Sequence, residues 1–238
     1  MTSDDRSLVA RERTSDGAPA GALILIHGRG ADEDDLFPLF DLLDPAQRLL
    51  GISPRGPFGP PPGARWYLPA PIGFPHAESF LESNGILASW LDARLAEAGI
   101  PWDRTVIGGF SQGAVMAFSI GLATGRPSPA GIIGLSGFLP SVPGFQLDLA
   151  DRMGLPVAIG HGTFDPVIEV AHGRHATATL DAAGLEVTYQ EAPLDHTIEP
   201  RFLTVLADWL AKLIPQRERP AGRPHPWGGR FPGGEGIL

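Results

Sequence analysis

Residues 106–118, VIGGFSQGAVMAF, run from a short apolar segment through glycines and one serine into a stretch of helical character. Few local geometries accommodate that order. Gly109, Ser111 and Gly113 spell G-x-S-x-G. Between a strand and a helix this spacing describes a nucleophile elbow, a sharp turn that lifts a serine hydroxyl above the C-terminal edge of a sheet. Glycine two residues to either side removes side chains that would strike the neighbouring strand and helix. The helix that follows aims its first N–H groups at the same point and favours negative charge there. The plainer alternative is a turn in which Ser111 serves only as an N-cap.

The elbow requires a parallel sheet around it, and the rest of the chain supplies the pattern. GALILIHG (21–28) is a continuous apolar run closed by glycine, as expected of a central strand buried on both faces. LVARERT (8–14) reads as an edge strand before it, and LLGIS as the strand after a short helix over 32–43 in which Pro38 fixes a kink or a start. RTVIGGF, AGIIGLSG, PVAIGHG (156–162) and LEVTYQEA (185–192) are further strands, with helices expected over 78–98, 112–123 and 167–183. Phe202, Val205, Leu206, Trp209, Leu210 and Leu213 recur at helical spacing and mark an amphipathic closing helix. Strands alternating with helices give an α/β fold with a mostly parallel central sheet and helices on both faces.

Proline and glycine preclude regular structure from the end of LLGIS to about residue 75. Trp66 and Tyr67 within that loop favour packing over freedom, and the pair is expected to line a pocket. Residues 1–214 read as one domain. Residues 215–238, PQRERPAGRPHPWGGRFPGGEGIL, are too rich in proline and glycine to bury much surface and read as an extension, with Trp227 and Phe231 as its candidate docking anchors.

Composition excludes several functions. The 238 residues contain no cysteine, which removes disulfides, thiolate metal sites and a cysteine nucleophile. A formal charge of −9 opposes nonspecific attraction to phosphate backbones or anionic bilayers, so nucleic acid is not an expected partner. No apolar run reaches the roughly 18–20 residues of a membrane span. The polar first residues lack a secretory h-region, and a cytoplasmic location is expected.

A serine hydroxyl needs a base to take its proton during attack. Of the seven histidines, His196 in APLDHTIEP is the best base, because it follows the last strand and precedes the closing helix, where it can reach over the sheet edge toward Ser111. His27 and His161 end apolar strands beside glycine and read as structural or loop-supporting. His172 and His175 lie i, i+3 on a helix but lack a third ligand, so no metal site is expected. His76 and His225 carry no pattern. The acid that orients the imidazole is expected between serine and histidine in the chain, and Asp165 in GHGTFDPVI fits, with Asp195 and Glu169 as fallbacks. Oxyanion donors are expected from the backbone N–H groups of Gln112 and of Arg29, the latter in the HGRGAD loop. The Arg29 side chain is expected to pair with Asp32 or Asp34 beside it; the alternative is that it meets an acidic group on a substrate.

LILIHGRGAD, GFSQGA, GHGTFDPV and DHTI, in this order and at these separations, resemble the phospholipase/carboxylesterase family of α/β-hydrolases, the group that includes acyl-protein thioesterases. ISPRGPFGPPPGARWYLP is similar to the family's proline-rich loop ending in an aromatic pair, and the resemblance covers roughly residues 20–214. It is closer to bacterial esterase-like members, because Arg29 stands where the thioesterase branch commonly has leucine. The resemblance implies an α/β-hydrolase fold with little or no lid domain and a serine hydrolase acting on ester or thioester bonds through an acyl-enzyme, without a cofactor. It supports Ser111, Asp165 and His196 as the triad. By position, Trp66, Leu68, Phe74 and Phe138 are expected to seat the acyl chain. The expected partner is a small-molecule ester substrate, without stable membrane insertion, and a homodimer is left open. The competing function is a noncatalytic binding protein on a hydrolase scaffold that recruits a partner through its C-terminal extension.

Overall fold

Five buried, mostly apolar runs of five to seven residues, flanked by two more polar strands, form a seven-stranded sheet in the computed structural model, which describes residues 8–60 and 63–216. The strands are β1 (Ala10–Arg13), β2 (Gly21–Ile26), β3 (Leu49–Pro54), β4 (Thr105–Phe110), β5 (Gly131–Leu135), β6 (Pro156–Gly162) and β7 (Glu186–Ala192). They lie in the order β1-β3-β2-β4-β5-β6-β7. Only β1 is antiparallel, pairing Ala10 with Pro54 and Arg13 with Gly51; every other pairing is parallel. The run expected to form a central strand is β2, buried throughout and paired in parallel on both edges, and beside it at the middle of the sheet lies β4, which carries the elbow.

Among the described residues five α-helices flank the sheet: α1 (Leu39–Leu43), α2 (Ala77–Glu97), α3 (Gln112–Leu122), α4 (Val170–Ala182) and α5 (Pro200–Leu213). Alternation along each strand distributes side chains between two cores. Ala22, Ile24 and Ile26 of β2 pack with Leu87 and Leu91 of α2, Val115 and Phe118 of α3, and Leu180 of α4. Leu23 and Leu25 face the other way, against Phe40 of α1 and Phe202, Leu206 and Leu210 of α5. Each of the leucine, isoleucine, valine and phenylalanine side chains among these contributes about 1.5–3 kcal/mol when removed from water. Two strand glycines receive helix aromatics directly: a Cβ on Gly134 would lie 2.2 Å from the Phe118 ring, and one on Gly160 would lie 2.7 Å from that of Phe202.

The helix expected over 32–43 is shortened to its last turn and a half. Pro38 occupies its N-cap position, and residues 32–38 form turns instead, with the Asp34 N–H bonded to the Asp32 carboxylate at 3.1 Å. Proline explains this, since it has no N–H to donate to a preceding turn. His76, which carried no pattern, caps α2, its ring accepting the Ser79 N–H at 3.4 Å. The loop after β3 is packed: Phe58 and Arg65 form an isolated antiparallel bridge, and Trp66 is fully enclosed. No helix among the described residues is long and apolar enough to cross a membrane. Of the C-terminal extension expected over 215–238, residues 217–238, with Trp227 and Phe231, lie outside the described residues.

Candidate active site

Strand β4 ends at Phe110 and α3 begins at Gln112, leaving Ser111 alone to make the turn. It does so at φ 57° and ψ −119°, a conformation that side-chain-bearing residues rarely adopt and that clusters at functional sites. The flanking glycines are obligatory on steric grounds. A Cβ on Gly113 would lie 1.8 Å from the Ile26 carbonyl oxygen, and one on Gly109 would lie 2.4 Å from the Gly113 backbone. Although Ser111 holds the N-cap position, its side chain makes no capping bond. The hydroxyl instead donates to Nε2 of His196 at 3.0 Å.

His196 comes from the loop between β7 and α5, and Asp165 from the loop after β6. The imidazole Nδ1–H donates to Asp165 Oδ2 at 2.7 Å, which leaves Nε2 as the acceptor facing serine. Asp165 is buried and held on its other oxygen by the N–H groups of Val167 at 2.9 Å and Ile168 at 2.8 Å. Burial alone would push its carboxyl up; the bond to His196 and the two backbone donors outweigh burial and hold it below the ordinary aspartate value. The group therefore stays ionised beside the imidazole. The fallback carboxylates have no such place: Glu169 is the N-cap residue of α4, and the contact to His196 belongs to Asp165.

Two further histidines brace the arrangement. His27 is buried at the end of β2; its Nε2 accepts the Gly56 N–H at 3.0 Å, and its Nδ1–H donates to the Gly28 carbonyl at 2.7 Å. That locks the first turn of the HGRGAD loop. Gly30 N–H to the Ala64 carbonyl at 2.6 Å and Ala64 N–H to the Ala31 carbonyl at 2.8 Å pin its far side. His161 donates Nε2–H to the Ile168 carbonyl at 2.8 Å and lies 3.5 Å from Asp165 Oδ2. Desolvation lowers the pKa of both rings, more than their hydrogen bonds raise it. Both histidines are thus structural supports of the loops on either side of Ser111.

Among the described residues, the N–H groups of Arg29 and Gln112 have no intramolecular acceptor. Gln112 opens the eleven-residue α3, so its N–H is one of the free donors at that helix's positive end. The Arg29 side chain departs from expectation. Asp32 and Glu33 pair with Arg55, at 3.6 and 2.8 Å, and Asp34 pairs with Arg11. No carboxylate among the described residues partners Arg29, which is exposed and lines a cavity.

That cavity has a volume of about 210 Å³ and opens beside Ser111, Gln112 and His196. Its walls are Tyr67, Pro69, Ala70, Pro71 and Ile72 from one loop, Val167 and Ile168 from another, and Phe138. Of the four residues predicted to seat an acyl chain, Phe138 lies in this wall. Trp66 is instead fully buried behind it, its indole N–H donating to the His27 carbonyl at 3.0 Å. Leu68 and Phe74 are 41% and 63% exposed and lie outside the lining. Sequence reasoning missed Val167 and Ile168, although both sit within three residues of Asp165 and could have been found from that proximity.

A model of the phospholipase/carboxylesterase family matches residues 13–214. Lysophospholipase-like protein 1 of Mus musculus is 31% identical over 59% of this chain and 59% of its own length, so the chain spans less than two thirds of that relative. Acyl-protein thioesterase 1 of Yarrowia lipolytica is 31% identical over 66% of this chain and 74% of its own. The crystal structure of the Bacillus cereus carboxylesterase superposes with a TM-score of 0.77 at 23% identity, covering 88% of this chain and 96% of that one, and it shares the fold. The seven-stranded, mostly parallel sheet is that of an α/β-hydrolase, and the chain belongs to the phospholipase/carboxylesterase family.

Proposed function

We propose that this protein hydrolyses carboxylic esters, thioesters being within reach of the same chemistry, by two-step acyl transfer through Ser111. The observation that carries the reading is the unbroken hydrogen-bonded chain from the Ser111 hydroxyl through His196 to Asp165, at 3.0 and 2.7 Å. As Ser111 Oγ attacks the carbonyl carbon, its proton passes to His196 Nε2, and the ionised Asp165 stabilises the imidazolium. The carbonyl oxygen becomes an oxyanion that accepts the free N–H groups of Arg29 and Gln112. His196 then returns the proton to the departing alcohol or thiol, leaving Ser111 acylated. Water deprotonated by the same imidazole attacks the acyl-enzyme and releases the acid. Phe138, Tyr67, Ile72 and Val167 offer apolar contact to the acyl chain in a cavity sized for a modest group.

A serine-directed fluorophosphonate tests the assignment together with a short p-nitrophenyl ester. Wild-type protein is expected to be labelled and to turn over the ester, whereas Ser111→Ala loses both while unfolding at an unchanged denaturant midpoint. Labelling that persists in Ser111→Ala would place the nucleophile elsewhere. The noncatalytic alternative gains nothing from a complete serine, histidine and carboxylate chain beside free backbone donors.

A further inference from the structure

The geometry points to a substrate class: Arg29 receives an anionic group, a carboxylate or phosphate, carried on the ester a few bonds from the scissile carbonyl. This rests on the esterase reading above and specifies its substrate. Three features support it. First, the acids next to Arg29 in sequence are engaged elsewhere, Asp32 and Glu33 by Arg55 and Asp34 by Arg11. Second, of the described residues lining the cavity beside Ser111, Arg29 is the one permanently charged side chain, and no carboxylate joins it there. The remaining walls are proline, alanine, aliphatic and aromatic side chains, which leave an anion no competing cation and leave the guanidinium no internal counterion. Third, the backbone bearing Arg29 is pinned on both sides, through Gly28 to His27 and through Gly30 and Ala31 to Ala64, while the side chain itself stays exposed.

Such a guanidinium sits on a fixed base. Its reach from Cα to Cζ is about 6 Å when extended, so an anion two to four bonds from the carbonyl falls within range while that residue's own N–H holds the oxyanion. Because the chain as a whole carries a formal charge of −9, an anionic substrate would otherwise be repelled at long range. A planar cation able to form paired hydrogen bonds with carboxylate or phosphate oxygens is the local feature that overcomes this.

Matched ester pairs test it on either side of the bond. Monoethyl succinate is compared with ethyl 4-methylpentanoate, which puts an isopropyl group in place of the acyl-side carboxylate. Carboxymethyl butyrate is compared with isobutyl butyrate, which does the same on the alcohol side. The readout is the ratio of kcat/KM within each pair, so any general loss through the oxyanion loop cancels. In at least one pair, Arg29→Gln is expected to lower the anionic-to-neutral ratio about tenfold, as befits one charge-assisted contact. Arg29→Glu should lower it further, and Arg29→Lys should restore part of it. The pair that responds identifies which side of the ester bears the charge. Hydrolysis of both members with ratios unmoved by Arg29→Gln and Arg29→Glu in either pair overturns this inference alone. Turnover of the p-nitrophenyl ester by wild-type protein without hydrolysis of any of these four esters likewise overturns this inference alone, whereas failure on all five esters overturns the esterase reading and this inference with it.

Discussion

Gln112 and Trp66 are joined across the turn: the side-chain oxygen of Gln112 accepts the Trp66 N–H at 3.0 Å, and its side-chain NH2 donates to the neighbouring Tyr67 carbonyl at 3.1 Å. The residue after Ser111 thus fastens the proline-rich loop, and with it the cavity wall, to the start of α3. Gln112→Ala leaves a buried donor and a buried acceptor unpaired, a cost on the order of 2–4 kcal/mol. The backbone N–H of residue 112 survives the substitution. The variant should therefore show a lowered urea midpoint and a KM raised more than kcat is lowered. An unchanged KM would mean that these bonds do not position the wall.

The backbone of Ser111 predicts an exchange of stability against activity. Its φ of 57° and ψ of −119° favour glycine. Ser111→Gly should be inactive yet more stable than Ser111→Ala by about 1 kcal/mol, the lower end of the strain expected for such a conformation. Gly113→Ala goes the opposite way, because its methyl group would lie 1.8 Å from the Ile26 carbonyl oxygen. That variant should lose more than about 3 kcal/mol or fail to fold. Denaturant unfolding of the three proteins measures both.

The elbow, the strand pattern and the order serine, aspartate, histidine were legible because each depends on local sequence. Glycine spacing around Ser111, apolar runs in β2, β4, β5 and β6, and the position of His196 before α5 need no knowledge of distant neighbours. What escaped depends on contacts far apart in the chain. Trp66 looked like a pocket residue because it is large and sits in a loop, but its orientation is set by the His27 carbonyl, thirty-nine positions away. The Arg29 pairing failed similarly: sequence proximity favoured Asp32 and Asp34, whereas the fold brings Arg55 and Arg11 to them from other elements. Arg152, buried and donating to the carbonyls of Gly121, Ala123 and Arg126 near the C-terminal end of α3, carried no local signal at all.

Stability should fall on acidification in two windows. His27 and His161 are buried with pKa values lowered from 6.5, chiefly by desolvation, so the unfolded chain binds more protons than the native one below that pH. Their contribution is complete above the unfolded value near 6.5 and is lost as pH falls through the lowered native values. Asp165 acts lower: despite burial, its hydrogen bonds depress its pKa from 3.8, so its contribution is complete above that value and is lost beneath it. Urea midpoints measured from pH 7.5 to 5.5 should decline in wild-type protein and decline less steeply in His161→Gln. Equal slopes in the two proteins would show that His161 is not buried in its neutral form.

Phe138 and Trp66 were grouped together by sequence, and their variants should separate. Phe138 forms part of the cavity wall, so Phe138→Ala removes apolar contact from whatever occupies it and should raise KM progressively along a series of p-nitrophenyl esters of increasing acyl length. Each methylene that loses its contact forfeits up to about 0.8 kcal/mol. Trp66 is fully buried and lies outside the cavity lining; its indole N–H donates to the His27 carbonyl at 3.0 Å, and its ring centroid lies 5.4 Å from that of the His27 ring. Trp66→Phe retains most of the volume but leaves that carbonyl without its donor. Since His27 anchors the loop that carries the Arg29 N–H, the expected result is a lowered kcat that is uniform across the series. Steady-state kinetics on both variants decide the point: a chain-length dependence in Trp66→Phe would put the indole in the acyl site, whereas its absence together with a clear dependence in Phe138→Ala assigns one residue to the loop and the other to the substrate.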